Sequence, residues 1–173
     1  ISTIFAACTG VIAASVTILY GSVRAAYQDD LKRLLAYSTI SQLSYIVLGV
    51  GLLSPRGMTG GMLHIAMHAF GKITLFFCAG AIYVATHNKK ISNMAGLGYA
   101  MPFTMGAFAI GSLSMIGVPP VAGFVSKWYL LNGALAIHNI PILIVLMAST
   151  LLNAAYFAPI TYKAFFQGKK PGW

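Results

Sequence analysis

Five stretches of this 173-residue chain are long and apolar enough to cross a lipid bilayer, and they restrict the fold more than any other feature. A spanning helix needs about 20 mostly apolar residues, because the hydrocarbon core is about 30 Å thick and a helix rises about 1.5 Å per residue. Hydrocarbon offers backbone polar groups no partner, so a spanning segment must satisfy its own, and runs of this length do so as helices. The runs extend over 3–27, 34–53, 58–86, 100–138 and 140–166. Between them lie the turn-forming and charged residues: Gln28 to Arg33, Ser54-Pro55-Arg56-Gly57, His87 to Gly98, and His138-Asn139 before Pro141. The expected fold is all-α, a polytopic membrane protein of five transmembrane helices. No linker is long enough to mark a second domain, so residues 1–173 read as one transmembrane domain.

Charge is scarce and one-signed. Only 8% of residues are charged, against about 25% in soluble domains. Eleven lysines and arginines face two acids, Asp29 and Asp30, and the chain has no glutamate. The cations are scattered between apolar runs, which argues against a nucleic-acid partner and reads instead as loop charge that sets membrane orientation. Threading the runs through a bilayer places Arg24, Lys32, Arg33, Lys89, Lys90, Lys163, Lys169 and Lys170 on one side and only Arg56 on the other. The positive-inside rule makes the first side cytoplasmic, in a cell inner (plasma) membrane, with the N-terminus outside and the C-terminus in the cytoplasm. Cys8 and Cys78 lie in apolar runs and fit neither a disulfide framework nor a zinc pattern. The chain starts at Ile1 inside an apolar run, with no initiator methionine or basic leader, and is expected to be a piece of a longer chain.

The run over 100–138 is too long for one straight crossing, since its 39 residues would make about 58 Å of helix. Two crossings would invert the following helix and carry Lys163, Lys169 and Lys170 outward, erasing the charge asymmetry. One interrupted crossing keeps it. The interruption is MIGVPPVAGFVSKW, Met115 to Trp128. Pro119 and Pro120 lack backbone donors and clash with the preceding turn, freeing carbonyls near Met115 and Ile116. Gly117 and Gly123 let the backbone pack closely or unwind there. Irregular backbone at that depth is tolerated only inside protein or beside a hydrated cavity. An ordinary proline kink is the bland alternative, and Lys127 weighs against it. A mid-membrane lysine costs about 2.5–3.5 kcal/mol and marks ion or proton pathways, unless it snorkels to an interface.

His64, His68 and Lys72 follow at intervals of four, which places them on one stripe of one helix. Three groups able to carry a proton then line up along the membrane normal over about 12 Å. The alternatives are a His-x-x-x-His metal pair, which lacks a third ligand nearby, a haem, and a polar helix contact without transport. The run over 34–53 has a polar entry. Asp29 and Asp30 suit the positive end of a helix dipole, and Tyr37-Ser38-Thr39-Ile40-Ser41-Gln42 needs partners or water within the membrane and suits the same hydrated path.

Together these stretches resemble the antiporter-like subunits shared by respiratory NADH:quinone oxidoreductase (complex I) and Mrp-type sodium/proton antiporters. The pattern D-[LI]-K-R-x-L-A-Y-S-[ST]-[IM]-S-Q-x-G-Y fits Asp30 to Tyr45, with Ser44 in place of glycine. H-x-x-x-H-A-x-x-K-x-x-L-F fits His64, His68, Ala69, Lys72, Leu75 and Phe76, with Gly71 where a bulky residue is usual. G-x-P-P-x-x-G-F-x-S-K fits Gly117, Pro119, Pro120, Gly123, Phe124, Ser126 and Lys127. The wording at Ser126–Tyr129 and His68–Lys72 leans toward the D-type members of the Mrp antiporters. The resemblance implies the second of two inverted five-helix repeats, the first repeat being absent together with its glutamate. It implies proton-carrier roles for His64, His68, Lys72 and Lys127, supported by Asp30, Lys32, Gly117, Pro119, Pro120, Gly123 and Ser126. Implied partners are further membrane subunits of an Mrp or complex I-like assembly, the lipid bilayer and protons, with sodium as a candidate coupled cation. No metal or cofactor and no redox chemistry of its own are expected. A structural membrane subunit of a respiratory or hydrogenase complex, without an ion path, is the alternative.

Overall fold

The structure, a computed structural model, describes residues 2–168; Lys169 and Lys170, assigned above to the basic side, lie outside the described residues. The described chain is all-helical: α1 (Ser2–Ala26), α2 (Leu31–Gly51), α3 (Pro55–Thr86), α4 (Leu97–Ala100), α5 (Pro102–Ile116), α6 (Ala122–Ala136) and α7 (Ile140–Phe166). Helices α2 and α3 each begin three residues before their apolar runs, because polar residues cap them. The Asp30 carboxylate accepts from the amides of Lys32 and Arg33 at 3.0 and 3.3 Å. Ser54 Oγ accepts from the Gly57 amide at 3.1 Å, with Pro55 at the first helical position. Both satisfy amides that a helix start leaves unpaired.

Helices α1, α2, α3 and α7 are each long and apolar enough to cross a membrane. With 15 residues each, α5 and α6 are about 22 Å long and individually too short. Contacts at the two ends of the bundle show that they share one crossing. At the basic end, the Leu31 amide donates to the Lys89 carbonyl at 3.0 Å, Ile91 to Asp29 at 2.7 Å, and Gly96 to Lys163 at 3.4 Å. This places the ends of α1, α3 and α7 beside the starts of α2 and α5. At the opposite end α6 meets the start of α3 so closely that a Cβ on Gly133 would lie 2.6 Å from the Gly57 nitrogen. The fourth membrane element is therefore discontinuous, broken between Gly117 and Val121.

Two apolar clusters hold the bundle. One, toward the basic end, gathers Leu34, Leu35, Leu75, Phe108 and Phe157; the other gathers Ile18, Tyr45, Leu48, Leu130 and Leu146. Large apolar side chains such as Phe5, Val16, Phe70, Phe77, Phe103 and Leu151 point outward, as a lipid-facing surface requires. Buried polar residues, among them Ser38, Gln42, His64, His68, Lys72 and Lys127, lie inside this helix packing.

Candidate functional site

An α-helical carbonyl normally accepts from the amide four residues on. For Met115 and Ile116 those positions are Pro119 and Pro120, which have no N–H. The Lys127 ammonium, on the first turns of α6, donates to both carbonyls instead, at 2.8 Å each. The lysine is buried, so the ammonium supplies the donors that the break removes. Its Nζ also lies 5.7 Å from the centre of the Tyr45 ring. The two glycines make this geometry available. Gly117 takes a φ of +86°, and a Cβ there would stand 2.8 Å from Lys127 Cδ. A Cβ on Gly123 would stand 1.7 Å from the Ser114 carbonyl oxygen, so only glycine lets the start of α6 cross the last turn of α5.

From this point the polar groups continue onto α3. Ser126 adjoins Lys127 in sequence, and its hydroxyl lies 2.9 Å from His64 Nδ1. His64 Nε2 lies 3.1 Å from Gln42 Oε1, so one imidazole ties α6 to α2 through α3. Gln42 Oε1 can only accept, so the tautomer that satisfies this contact carries its proton on Nε2, while the Ser126 hydroxyl stands within reach of both Nδ1 and the Gly123 carbonyl, the latter at 3.2 Å. The rings of His64 and His68 stack with centres 6.0 Å apart. One turn further, Lys72 Nζ donates to the Leu35 carbonyl at 2.9 Å and to the Ser38 hydroxyl. The groups Lys127, Ser126, His64, His68, Lys72 and Ser38 thus form one buried succession across α6, α3 and α2. Lys127 is held by two carbonyl oxygens and Lys72 by a carbonyl and a hydroxyl, while both acids of the chain stand at the basic end. His68 Nε2 and Gln42 Nε2 are buried without a protein partner, so the succession has hydrogen-bonding capacity to spare beside both.

The other sequence candidates are placed elsewhere. Asp30 caps α2, and Lys32 lies over the Tyr83 ring at 4.8 Å, both at the basic end of the bundle and apart from the His–Lys stripe. Asp29 lies before α2 and its cap; it accepts from the Ser92 amide at 3.0 Å and from the Ser92 hydroxyl. The polar entry of α2 divides. Ser38 and Gln42 join the stripe, whereas Ser41 faces α1, bonding the Ile18 carbonyl at 3.0 Å and Ser22 at 2.8 Å. Ser22 in turn lies 3.1 Å from Ser149 of α7, closing a hydroxyl junction of three helices.

Sequence reasoning gave no role to Tyr45, whose ring is 5.3 Å from that of His64. It also missed Ser149, Asn153 and Tyr156, buried in α7, where the Tyr156 hydroxyl donates to Asn153 Oδ1. A signal was present, since their spacing of four and three places them on one face of an otherwise apolar helix. Among the described residues, no cluster of three or more His, Cys, Asp or Glu accompanies the histidine pair.

Comparisons with known proteins match this architecture. A family model described as "NADH:quinone oxidoreductase/Mrp antiporter, TM" matches residues 1–166. NADH-quinone oxidoreductase subunit N of Desulforudis audaxviator is 43% identical over 160 residues, covering 92% of this chain and 32% of that protein. NADH-ubiquinone oxidoreductase chain 5 of Sus scrofa is 37% identical over 153 residues, 87% of this chain and 25% of that one. Among solved structures, a chain of the Mrp complex from Dietzia sp. DQ12-45-1b superposes with a TM-score of 0.89 at 31% identity, covering 94% of this chain and 30% of its own. A chain of the membrane-bound sulfane sulfur reductase, an archaeal respiratory membrane complex, gives 0.89 at 27% identity, with 95% and 34% covered. The chain spans about a third or less of the length of these relatives. They come from both respiratory and Mrp assemblies, so the leaning toward the D-type Mrp members rests on the Ser126–Tyr129 and His68–Lys72 wording alone.

Proposed function

The chain belongs to the NADH:quinone oxidoreductase/Mrp antiporter transmembrane family, and on that premise we propose that it forms half of a proton path in an antiporter-like membrane subunit. In this reading the five crossings are the second inverted repeat of the subunit, and the first repeat supplies the other half of the path. Protons move between Lys72, His68, His64 and Lys127, with Ser126 and Ser38 bridging at the two ends. Each imidazole takes a proton on one ring nitrogen and gives it from the other.

One observation carries the reading: the Lys127 ammonium stands in for two missing proline amides. An ammonium has three N–H groups and an amine has two. Lys127 therefore gives up one proton and still satisfies both carbonyls, so charge leaves while the break stays intact. Repulsion between Lys72 and Lys127, with no carboxylate between them, couples their charge states and passes that coupling to neighbouring subunits. The basic end faces the cytoplasm, in the plasma membrane, and the partners are other membrane subunits of an Mrp D-like or complex I-like assembly. Sodium is the coupled cation on the Mrp side. Lys127→Ala in the intact protein, reconstituted in vesicles, is expected to abolish proton flux while membrane insertion is retained. Unchanged flux would contradict the proposal.

A further inference from the structure

At the basic end of the bundle α1 and α2 leave a groove of about 480 Å³ between them, lined by Arg24, Gln28, Arg33, Ala36, Tyr37 and Ile40. Its upper wall is cationic and polar. Arg24, in the last turn of α1, extends over the Tyr37 ring at 5.7 Å, and Arg33 is exposed in the first turn of α2. Its lower part is apolar and opens at Ala36 and Ile40 onto the outward face of α2, where Leu43, Val47 and Val50 are exposed in succession.

The neighbouring charges are engaged elsewhere. The Asp30 carboxylate accepts the first amides of α2, and that of Asp29 accepts from Ser92. Lys32 and Lys89 both lie over Tyr83, at 4.8 and 5.0 Å, and neither lines the groove. The groove therefore holds two guanidiniums, an amide and a phenol with no acid lining it.

The geometry points to the headgroup of an anionic phospholipid as the ligand of this groove. A guanidinium presents planar, paired donors suited to phosphate oxygens. Two of them stand where α1 ends and α2 begins, the level of lipid headgroups, and basic pockets between membrane helices at a cytoplasmic face suit such headgroups. The apolar exit at Ala36 and Ile40 gives an acyl chain a continuous path down α2, which an acidic protein segment has no use for. Phosphate sits between Arg24 and Arg33, Gln28 and Tyr37 reach the glycerol or headgroup hydroxyls, and one chain descends past Ile40. The site is independent of the proton path, because no residue of the groove belongs to the His–Lys succession.

Native mass spectrometry of the intact protein tests this with phosphatidylglycerol and phosphatidylcholine of identical chains, each added separately, and with inorganic phosphate as competitor. Phosphatidylglycerol is expected to be retained preferentially. Arg24→Gln with Arg33→Gln is expected to weaken retention about 30-fold, the loss for two cations at an anionic surface. Lys32→Gln with Lys89→Gln is expected to leave it unchanged. Ile40→Trp, which keeps both arginines and obstructs the apolar exit, is expected to release the lipid and serves if the double arginine variant fails to fold. Equal retention of the two lipids, equal loss in both double variants, or displacement by phosphate alone would overturn the assignment. So would phosphatidylglycerol retention by the isolated subunit that disappears in the assembled complex, which would give this face to a neighbouring subunit.

Discussion

The Lys127 ammonium lies 2.8 Å from the carbonyl oxygen of Met115, across the break between α5 and α6. The amide that would otherwise serve that carbonyl belongs to Pro119. Replacing Pro119 and Pro120 together by alanine restores two N–H groups and gives α5 the means to continue, in competition with the lysine. Vesicle assays on this double variant are expected to show proton flux reduced about tenfold or more, with membrane insertion retained. Flux at the wild-type level would mean that the break is not needed.

Gly123 is the tightest point of the crossing. A methyl group there meets the Ser114 backbone oxygen at 1.7 Å, whereas one at Gly10 or Gly80 meets nothing within 4 Å. Overpacking of a rigid site costs about 1–3 kcal/mol, and here backbone rather than side chain must move. Gly123→Ala is expected to fall at the upper end of that range or beyond, read as a lowered unfolding temperature in detergent or loss from the membrane fraction. Gly80→Ala is expected to be neutral. Similar behaviour of the two variants would contradict the close approach of α5 and α6.

Ser126 and Ser41 are both buried serines, and the structure gives them different partners. Ser126→Ala leaves His64 Nδ1 without its hydroxyl partner, an unpaired buried group that costs about 1–3 kcal/mol. It is expected to lower proton flux severalfold. Ser41→Ala loses contacts to Ser22 and the Ile18 carbonyl, for which membrane hydrogen bonds suggest about 0.6 kcal/mol each. Its effect is expected in thermal unfolding, with flux unchanged. A Ser41→Ala variant as slow as Ser126→Ala would place the hydroxyl junction on the conduction path.

The sequence made the crossings and the break legible for physical reasons. Apolar length fixed the spans, and α7 begins and ends where its run does, at Ile140 and Phe166. The two consecutive prolines marked which carbonyls would be freed, and Lys127 bonds those two. Helix starts were less legible, because Asp30 and Ser54 recruit polar residues into α2 and α3 through their caps. The polar run of α2 was the least legible part. Adjacent residues on a helix point about 100° apart, so Ser41 and Gln42 face different neighbours. Sequence alone does not say that α1 and α7 cover one direction and α3 the other. For Asp30 and Lys32 the motif was recognisable, yet their place at the basic end follows from the cap and the Tyr83 contact. Ser149, Asn153 and Tyr156 carried a readable spacing that the more conspicuous lysines overshadowed.

On the proposed path Lys127 works by giving up a proton, beyond filling the break with charge. Arginine keeps a permanent positive charge and multiple donors but does not deprotonate in proteins. The most direct test is therefore proton flux through the intact protein carrying Lys127→Arg, measured in vesicles beside wild type at matched insertion. Flux is expected to be lost, as in Lys127→Ala, although charge and donors remain at the break. Flux retained by the arginine variant would contradict it and reduce Lys127 to a fixed structural charge.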